Sequence, residues 1–304
     1  MQKTAKHPNK PVRMIVTDLE GTFLNAQNQP HPVNIRAVRE AREAGILVIP
    51  CTGRNWARSR QVMSLCGFDP FLITGNGSAI IDARTGRALE QTLIAPTALL
   101  PVLFLQWRDQ RATTELWARE TCGCIGPEAE DRLLRTHVRN SVLPEEEQLV
   151  FEIFTEYLDL FDAYEEQTES IQLTLGNEIG LMSAQMEELL QALQAFTAVQ
   201  RPDGRWELTN ARANKAQAAQ KIAQMHGIDP SEVLAIGDGE EDIELLRWAG
   251  TGVALADSCQ QARDAADVVT VEQWDAGVAK AIFELALGYD FTDPQPLETI
   301  VEQE

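Results

Sequence analysis

Two stretches of this 304-residue chain run from apolar residues straight into acids and glycine. Met14-Ile15-Val16-Thr17 leads to Asp18, Glu20, Gly21 and Thr22, and Val233-Leu234-Ala235-Ile236 leads to Gly237-Asp238-Gly239-Glu240-Glu241-Asp242. A buried strand that delivers an acid to its carboxyl end and then breaks is how open α/β sheets place chemistry beyond their strand ends. Two further runs end in other groups: Ile46 to Cys51 in Thr52-Gly53-Arg54, and Phe71-Leu72-Ile73 in Thr74-Gly75-Asn76-Gly77. Lys215 follows Asn214 where a helical pattern begins. Taken singly, Asp18 and Glu20 read equally as turn acids, Thr52 as a strand-end cap, Asn76 as a turn residue and Lys215 as an exposed helix lysine. Taken together they are chemically complementary. Carboxylates gathered in one place repel unless a cation lies between them, and oxygen ligands of this type suit Mg²⁺. A hydroxyl, a lysine and the N–H groups of glycine turns can cradle a dianionic phosphoryl group. A carboxylate beside that group can be the nucleophile, forming an aspartyl-phosphate.

Such groups converge only if the strands lie side by side. Asn34 is expected to cap a helix with Ile35, Val38 and Ala41 inward and a stop at Gly45. A helix from about Trp56 to Leu65 and a hairpin of Ala79–Asp82 with Arg87–Glu90 complete the first part. This βαβαβ rhythm predicts a parallel sheet with right-handed crossovers. The rhythm resumes at Asn214, with a helix over Lys215–His226, strands at Val233–Ile236, Val253–Leu255 and Val268–Thr270, and helices near Ile243–Trp248, Gln260–Ala266 and Asp275–Leu287. The fold class so predicted is α/β, a doubly wound, Rossmann-like parallel-sheet core. From about Ala95 to Gly204 the pattern differs and predicts an inserted α+β domain. It holds a helix over Pro96–Trp107, irregular acid-rich sequence, a strand at Ser170–Leu175, and a helix over Ser183–Phe196 burying Met186, Leu189, Leu190 and Leu193. A turn at Pro202-Asp203-Gly204 closes it.

Composition narrows the partners. With 44% hydrophobic and 24% charged residues the chain is that of a globular protein, and a net charge of −20 argues against nucleic acid or an anionic membrane. The longest apolar run, near Leu99 to Leu105, contains Pro101 and is too short to span a bilayer. Five cysteines, at 51, 66, 122, 124 and 259, are odd in number and scattered, which suits reduced thiols in a cytoplasmic protein. Residues 1–12 and 291–304 read as tails.

With these motifs in order, the chain resembles a haloacid dehalogenase (HAD) superfamily hydrolase of the Cof-type subfamily (type IIB, with the larger C2 cap). The family's D-x-D-G-T matches Asp18 to Thr22, its S/T-G-R matches Thr52-Gly53-Arg54, and its N-G turn matches Asn76-Gly77. Its lysine matches Lys215 after Trp206-Glu207-Leu208. Its last motif, G-D-x-x-N-D, matches Gly237 to Asp242, followed by Ala249-Gly250-Thr251-Gly252-Val253-Ala254. The resemblance implies a core over 13–90 and 206–290 and a cap over 91–205. It also implies a Mg²⁺-dependent phosphatase of a small phosphorylated metabolite, a sugar phosphate or a cofactor precursor, working as a monomer or weak homodimer. By the same resemblance Asp18 is the nucleophile, Glu20 the acid/base, and Lys215 and Thr52 the groups that stabilise charge. Thr52, Gly53, Arg54, Asn76, Gly77 and Lys215 bind substrate, and Asp18, the Glu20 carbonyl, Asp238 and Asp242 hold the metal.

Two positions depart from the family pattern: Glu20 stands where most members have Asp, and Glu241 replaces the usual Asn. They keep open a weak or inactive HAD-like protein that binds metal and a phosphorylated ligand; a sugar phosphomutase is a further alternative, against which Gly21-Thr22 speaks. In the cap, Trp107, Arg108, Trp117, Arg119 and His137 are candidate substrate contacts. The acidity of that region argues against a polyanionic leaving group.

Overall fold

The computed structural model describes residues 10–108, 110–175, 194–201 and 204–291. The first elements are β1 (Met14–Asp18), α1 (Pro32–Glu43), β2 (Leu47–Cys51), α2 (Trp56–Cys66), β3 (Phe71–Thr74), β4 (Ala79–Asp82), β5 (Arg87–Gln91) and α3 (Pro96–Arg108). Then come β6 (Thr113–Trp117), β7 (Thr121–Ile125), α4 (Ala129–Asn140), β8 (Val150–Ile153), α5 (Tyr157–Tyr164), β9 (Ser170–Thr174), β10 (Phe196–Gln200) and β11 (Trp206–Asn210). The last are α6 (Lys215–Met225), β12 (Val233–Gly237), α7 (Ile243–Trp248), β13 (Thr251–Ala254), α8 (Gln260–Ala265), β14 (Val268–Val269) and α9 (Gly277–Ala281), which widens through Ile282–Leu287. Contacts divide the chain into two compact units: Met1–Ile49, Cys66–Asp69 and Ala223–Glu304 in the first, Pro50–Leu65 and Pro70–Ile222 in the second.

The first unit is built on parallel strands in the order β14-β13-β12-β1-β2. Met14 to Thr17 pair with Val233 to Ile236, and Leu234 to Gly237 pair with Thr251 to Ala254. Met14, Ile15, Val16, Leu234, Ala235 and Ile236 are wholly buried, which is why these strands read as continuous apolar runs. Helix α1 begins earlier than expected. His31 caps it, accepting from Val33 N at 3.2 Å, and Pro32 stands in its first turn, where its fixed φ fits and its missing N–H costs nothing. Asn34 therefore does not cap the helix. It faces inward, accepting from Ala279 N at 3.0 Å and donating to Phe23 O at 3.4 Å.

In the second unit the end of β2 pairs in parallel with β3 at Cys51 and Ile73, and β3, β4 and β5 continue antiparallel, with β4 and β5 forming the expected hairpin. A second sheet has six strands in the order β10-β11-β9-β6-β7-β8. Its core is Leu99, Leu116, Leu160, Tyr164, Ile171, Leu173 and Leu208. The acid-rich stretch expected to be irregular instead supplies β6, β7, α4, β8 and α5. Polarity hid the strands: β6 buries Thr113, Thr114 and Glu115, and β7 carries Gly123, where a Cβ would lie 2.5 Å from the Tyr164 ring and 2.6 Å from Leu160. Residues 206–210, expected on the core side of the boundary, are β11 and pair with both β9 and β10. Most of the helix expected over 183–196, and Pro202-Asp203, lie outside the described residues; Phe196 opens β10.

Candidate active site

In the first unit, adjacent parallel strands β1 and β12 end in Asp18 and in Gly237-Asp238. Asp18, Asp238 and Asp242 each offer a carboxylate oxygen within 4.8 Å of the others. Their positions follow from the backbone. Asp242 is buried, and its Oδ2 accepts from the N–H groups of Asp238 at 3.1 Å and Gly239 at 3.0 Å, folding the turn over itself. Thr22 Oγ1 donates to Asp238 Oδ1. Gly21, at φ +79°, needs glycine twice over, because a Cβ there would lie 2.6 Å from Asp238 Oδ2. Glu20 and Glu241 are half-buried, Glu241 with its carboxyl against Gly239. Three anionic oxygens in so small a space match the donor set that a hard divalent cation such as Mg²⁺ takes, and like charges held this close are otherwise costly.

In the second unit the loops after β2 and β3 brace each other. Thr52 N donates to Ile73 O at 2.9 Å, Asn76 N to Thr52 O at 3.0 Å, and Gly75 N to Arg54 O at 2.9 Å. The Thr52 hydroxyl accepts from Arg54 N at 3.1 Å. Asn76 is buried and left-handed at φ 53°, a conformation asparagine tolerates, and its Oδ1 has no hydrogen-bond partner among the described residues. That oxygen would lie 3.2 Å from a Cβ on Gly53. Gly77, at φ +100°, packs so closely on the backbone of Asn214 that a Cβ would overlap it. Asn214 Oδ1 accepts from Gln217 N at 3.1 Å, the expected cap of α6, and the next residue, Lys215, is 2% exposed. The structure thus gathers Thr52, Gly53, Arg54, Asn76 and Gly77 beside the start of the lysine helix.

Other side chains here escaped the sequence reading. Glu207, nearly buried, takes Arg201 Nε at 2.8 Å and Nη2 at 2.6 Å, and its other oxygen faces Gly53. Glu169 is wholly buried, accepting from Gln91 Nε2 at 3.1 Å, while its carbonyl takes the Ser78 hydroxyl at 3.3 Å. Burial pushes its carboxyl up to about 7, against the opposing pull of the Gln91 hydrogen bond and of Arg119. A period-two count could have flagged it, since Glu169 lies just before β9, two residues from the buried Ile171 and four from Leu173. Of the expected cap contacts, Trp117 is buried with the Arg58 guanidinium 5.0 Å over its ring, and the Arg119 carbonyl accepts from Ala57 N at 3.0 Å. Trp107 is 55% exposed and stacks on Phe104, and His137 is exposed. The Arg108 side chain lies outside the described residues.

A parallel α/β sheet with carboxylates beyond adjacent strand ends, and a second α+β sheet inserted in the chain, defines the HAD class of hydrolases. The sequence profile of the haloacid dehalogenase-like hydrolases matches residues 15–282, and the chain belongs to that family, in its Cof-type branch. It is a phosphoric monoester hydrolase. It is similar to the 5-amino-6-(5-phospho-D-ribitylamino)uracil phosphatase of Bacillus subtilis, 26% identical over 271 residues that cover 89% of this chain and 94% of that protein. A crystal structure of a haloacid dehalogenase-like hydrolase from B. subtilis has the same fold, with a TM-score of 0.75 and 24% identity, covering 90% of this chain and 100% of that one. A HAD subclass IIB sugar phosphatase also shares the fold, with a TM-score of 0.71 at 17% identity over 89% of this chain and 98% of that one. Among the described residues no helix is long and apolar enough to cross a membrane.

Proposed function

We propose that this chain is a Mg²⁺-dependent phosphatase of a small phosphorylated metabolite, acting through an aspartyl-phosphate on Asp18. The observation that supports it most is the meeting of Asp18, Asp238 and Asp242 within 4.8 Å. In this reading Asp18, the Glu20 carbonyl, Asp238 and Asp242 hold the ion. Bound there, Mg²⁺ offsets the charge of the carboxylates and of the phosphoryl oxygens. An Asp18 oxygen attacks phosphorus, the bond from phosphorus to the leaving oxygen breaks, and the Glu20 carboxyl gives that oxygen its proton. Water then attacks the same phosphorus, Glu20 takes the water's proton, and the acyl-phosphate bond breaks to release phosphate and restore the Asp18 carboxylate. Lys215 and the Thr52 hydroxyl stabilise charge on the transferring oxygens, and Gly53, Arg54, Asn76 and Gly77 bind and shape the substrate's seat, the Arg54 and Asn76 N–H groups bracing the loops by their bonds to Thr52. The relatives are named for a phosphoribitylamino-uracil and for sugar phosphates, which supports a sugar phosphate or cofactor precursor as substrate. Residues 91–205 serve as the cap in this reading, with substrate choice residing there.

The test is hydrolysis of p-nitrophenyl phosphate with Mg²⁺ or EDTA, by the native chain and by Asp18→Asn. Turnover with Mg²⁺ that disappears in EDTA, and that falls on the order of 10⁴-fold in the variant, is expected. Hydrolysis that survives both would overturn the reading.

A further inference from the structure

Apart from the loops after β2 and β3, the second unit holds a cavity of about 670 Å³, a volume usual for small-molecule sites. The β4–β5 hairpin, the segment entering α3, residues 210–212 and the first turns of α6 make its wall. Every described lining residue belongs to the second unit. Thr52, Gly53, Arg54, Asn76 and Lys215 are not among them, and Gly77 alone is shared with those loops. The wall is fixed by bonds of its own. Asn210 Nδ2 donates to Leu93 O at 2.7 Å and its Oδ1 accepts from Arg212 N at 2.9 Å, tying the end of β11 to the segment before α3. Thr92 N donates to Ser78 O at 2.6 Å, and Ala211 N to Ala195 O at 2.9 Å. The Gln91 amide and the Ser78 hydroxyl are both engaged by Glu169 behind the wall, and Lys221 pairs with Glu90.

Other polar groups of the wall are not engaged. Among the described residues no hydrogen bond or ion pair holds the side chains of Thr92, Arg212 or Gln217, which all line the cavity. The charged residues described in the wall are Glu90, Lys221 and Arg212. The first two neutralise each other, which leaves the Arg212 guanidinium. A guanidinium fork matches a carboxylate two oxygens at a time. A dianionic phosphate suits this wall less, because its second charge would meet only the Glu90 carboxylate and a lysine already paired with it. The Thr92 hydroxyl and the Gln217 amide can each donate and accept, as sugar hydroxyls do. No aromatic ring stands in the described lining for a flat base to stack on.

We propose that this cavity is a second ligand site, separate from the Thr52-Gly53-Arg54 loop, for a small polyhydroxylated monocarboxylate such as a sugar acid. Arg212 takes the carboxylate, and Thr92 and Gln217 take hydroxyl groups. The site goes beyond the phosphatase reading and does not depend on it. Gly77 and Asn214 belong to the same wall and touch each other just before α6 begins, so an occupant bears on the contact that precedes Lys215.

The test is calorimetric binding of D-gluconate, sorbitol and acetate to the native chain, Arg212→Gln, Arg212→Lys and Thr92→Val. Sorbitol keeps the carbon skeleton of gluconate without its charge, and acetate keeps the charge without the hydroxyls. Gluconate is expected to bind saturably, about 10- to 100-fold tighter than either, the worth of hydrogen bonds to a charged group. Arg212 is exposed, so its variants leave the packing alone. Arg212→Gln should bring gluconate down to the level of sorbitol, and Arg212→Lys should recover part of the loss. Thr92→Val should weaken gluconate roughly 2- to 10-fold. Inorganic phosphate with Mg²⁺, the probe of the phosphoryl loops, should leave gluconate binding unchanged. No saturable binding, gluconate no tighter than acetate, affinity that survives in Arg212→Gln or in Thr92→Val, or displacement by phosphate would each overturn the site. None of these outcomes bears on hydrolysis of p-nitrophenyl phosphate, so the phosphatase reading stands or falls by its own test.

Discussion

In the first unit three carboxylates share one space, and two of them are held by groups close in the chain or next to the neighbouring strand: Asp242 by two N–H groups of its own turn, Asp238 by the Thr22 hydroxyl. In the second unit the crowded charges are arginines from a loop, two helices and a hairpin turn, held by packing and by bonds from other residues. The acids sit in a short-range frame of hydrogen bonds whose donor set suits a divalent cation. The arginines, Arg54, Arg58, Arg60, Arg119 and Arg139, sit in a long-range frame, with Arg139 on Ala57 O and Arg60 on Gln148 O. One frame is written into motifs of five or six residues, and the other exists only after folding.

Three measurements press on this contrast. The largest effect is expected at Glu169, the buried acid among the second unit's bases. Its carboxyl, raised from 4.5 to about 7, binds its proton more tightly in the folded chain than in the unfolded one. The stability it contributes is therefore complete below pH ~4.5 and lost as pH rises through ~7, on the order of 3 kcal/mol in all. Melting temperatures at pH 5 and pH 8 should fall further apart for the native chain than for Glu169→Gln; identical differences would mean that the carboxyl is not held neutral. Next is Gly77→Ala. A methyl group on the Asn214 backbone displaces the start of the lysine helix, and a shift of about 1 Å costs on the order of 100-fold in kcat/KM. An unimpaired variant would show that this contact does not position Lys215. The smallest is Thr22→Val, which removes the hydroxyl from Asp238 and should weaken Mg²⁺ binding roughly 10-fold, read by metal titration of melting temperature. Unchanged affinity would mean that the strand ends alone place the acid.

The sequence was most legible where burial is continuous. β1, β2, β3 and β12 are apolar runs bounded by glycine or an acid, so both their existence and the acids at their tips could be read directly. It was least legible in the six-stranded sheet. Thr113, Thr114 and Glu115 are buried polar residues that erase the alternation of β6, and Gly123 interrupts β7 for the sake of Tyr164. Asn34 misled because a capping residue type can equally be a buried tie, and Pro32 two positions earlier held the stronger start signal. The arginines could not have been found by spacing, since Arg58 and Arg139 share neither an element nor a motif and meet only through tertiary packing.

The buried Asn34 tie has a consequence for how the chain comes into being. Its partner, Ala279, lies 245 positions downstream. At a synthesis rate of about 5–20 residues per second, the ribosome needs roughly 10–50 s to supply that partner once Asn34 has been added. For most of that interval β1 lacks β12, and a strand whose Met14, Ile15 and Val16 are wholly buried in the folded chain waits with an open edge. The first unit is thus completed only late in synthesis, while the second unit, contiguous but for a few residues, can fold as it emerges.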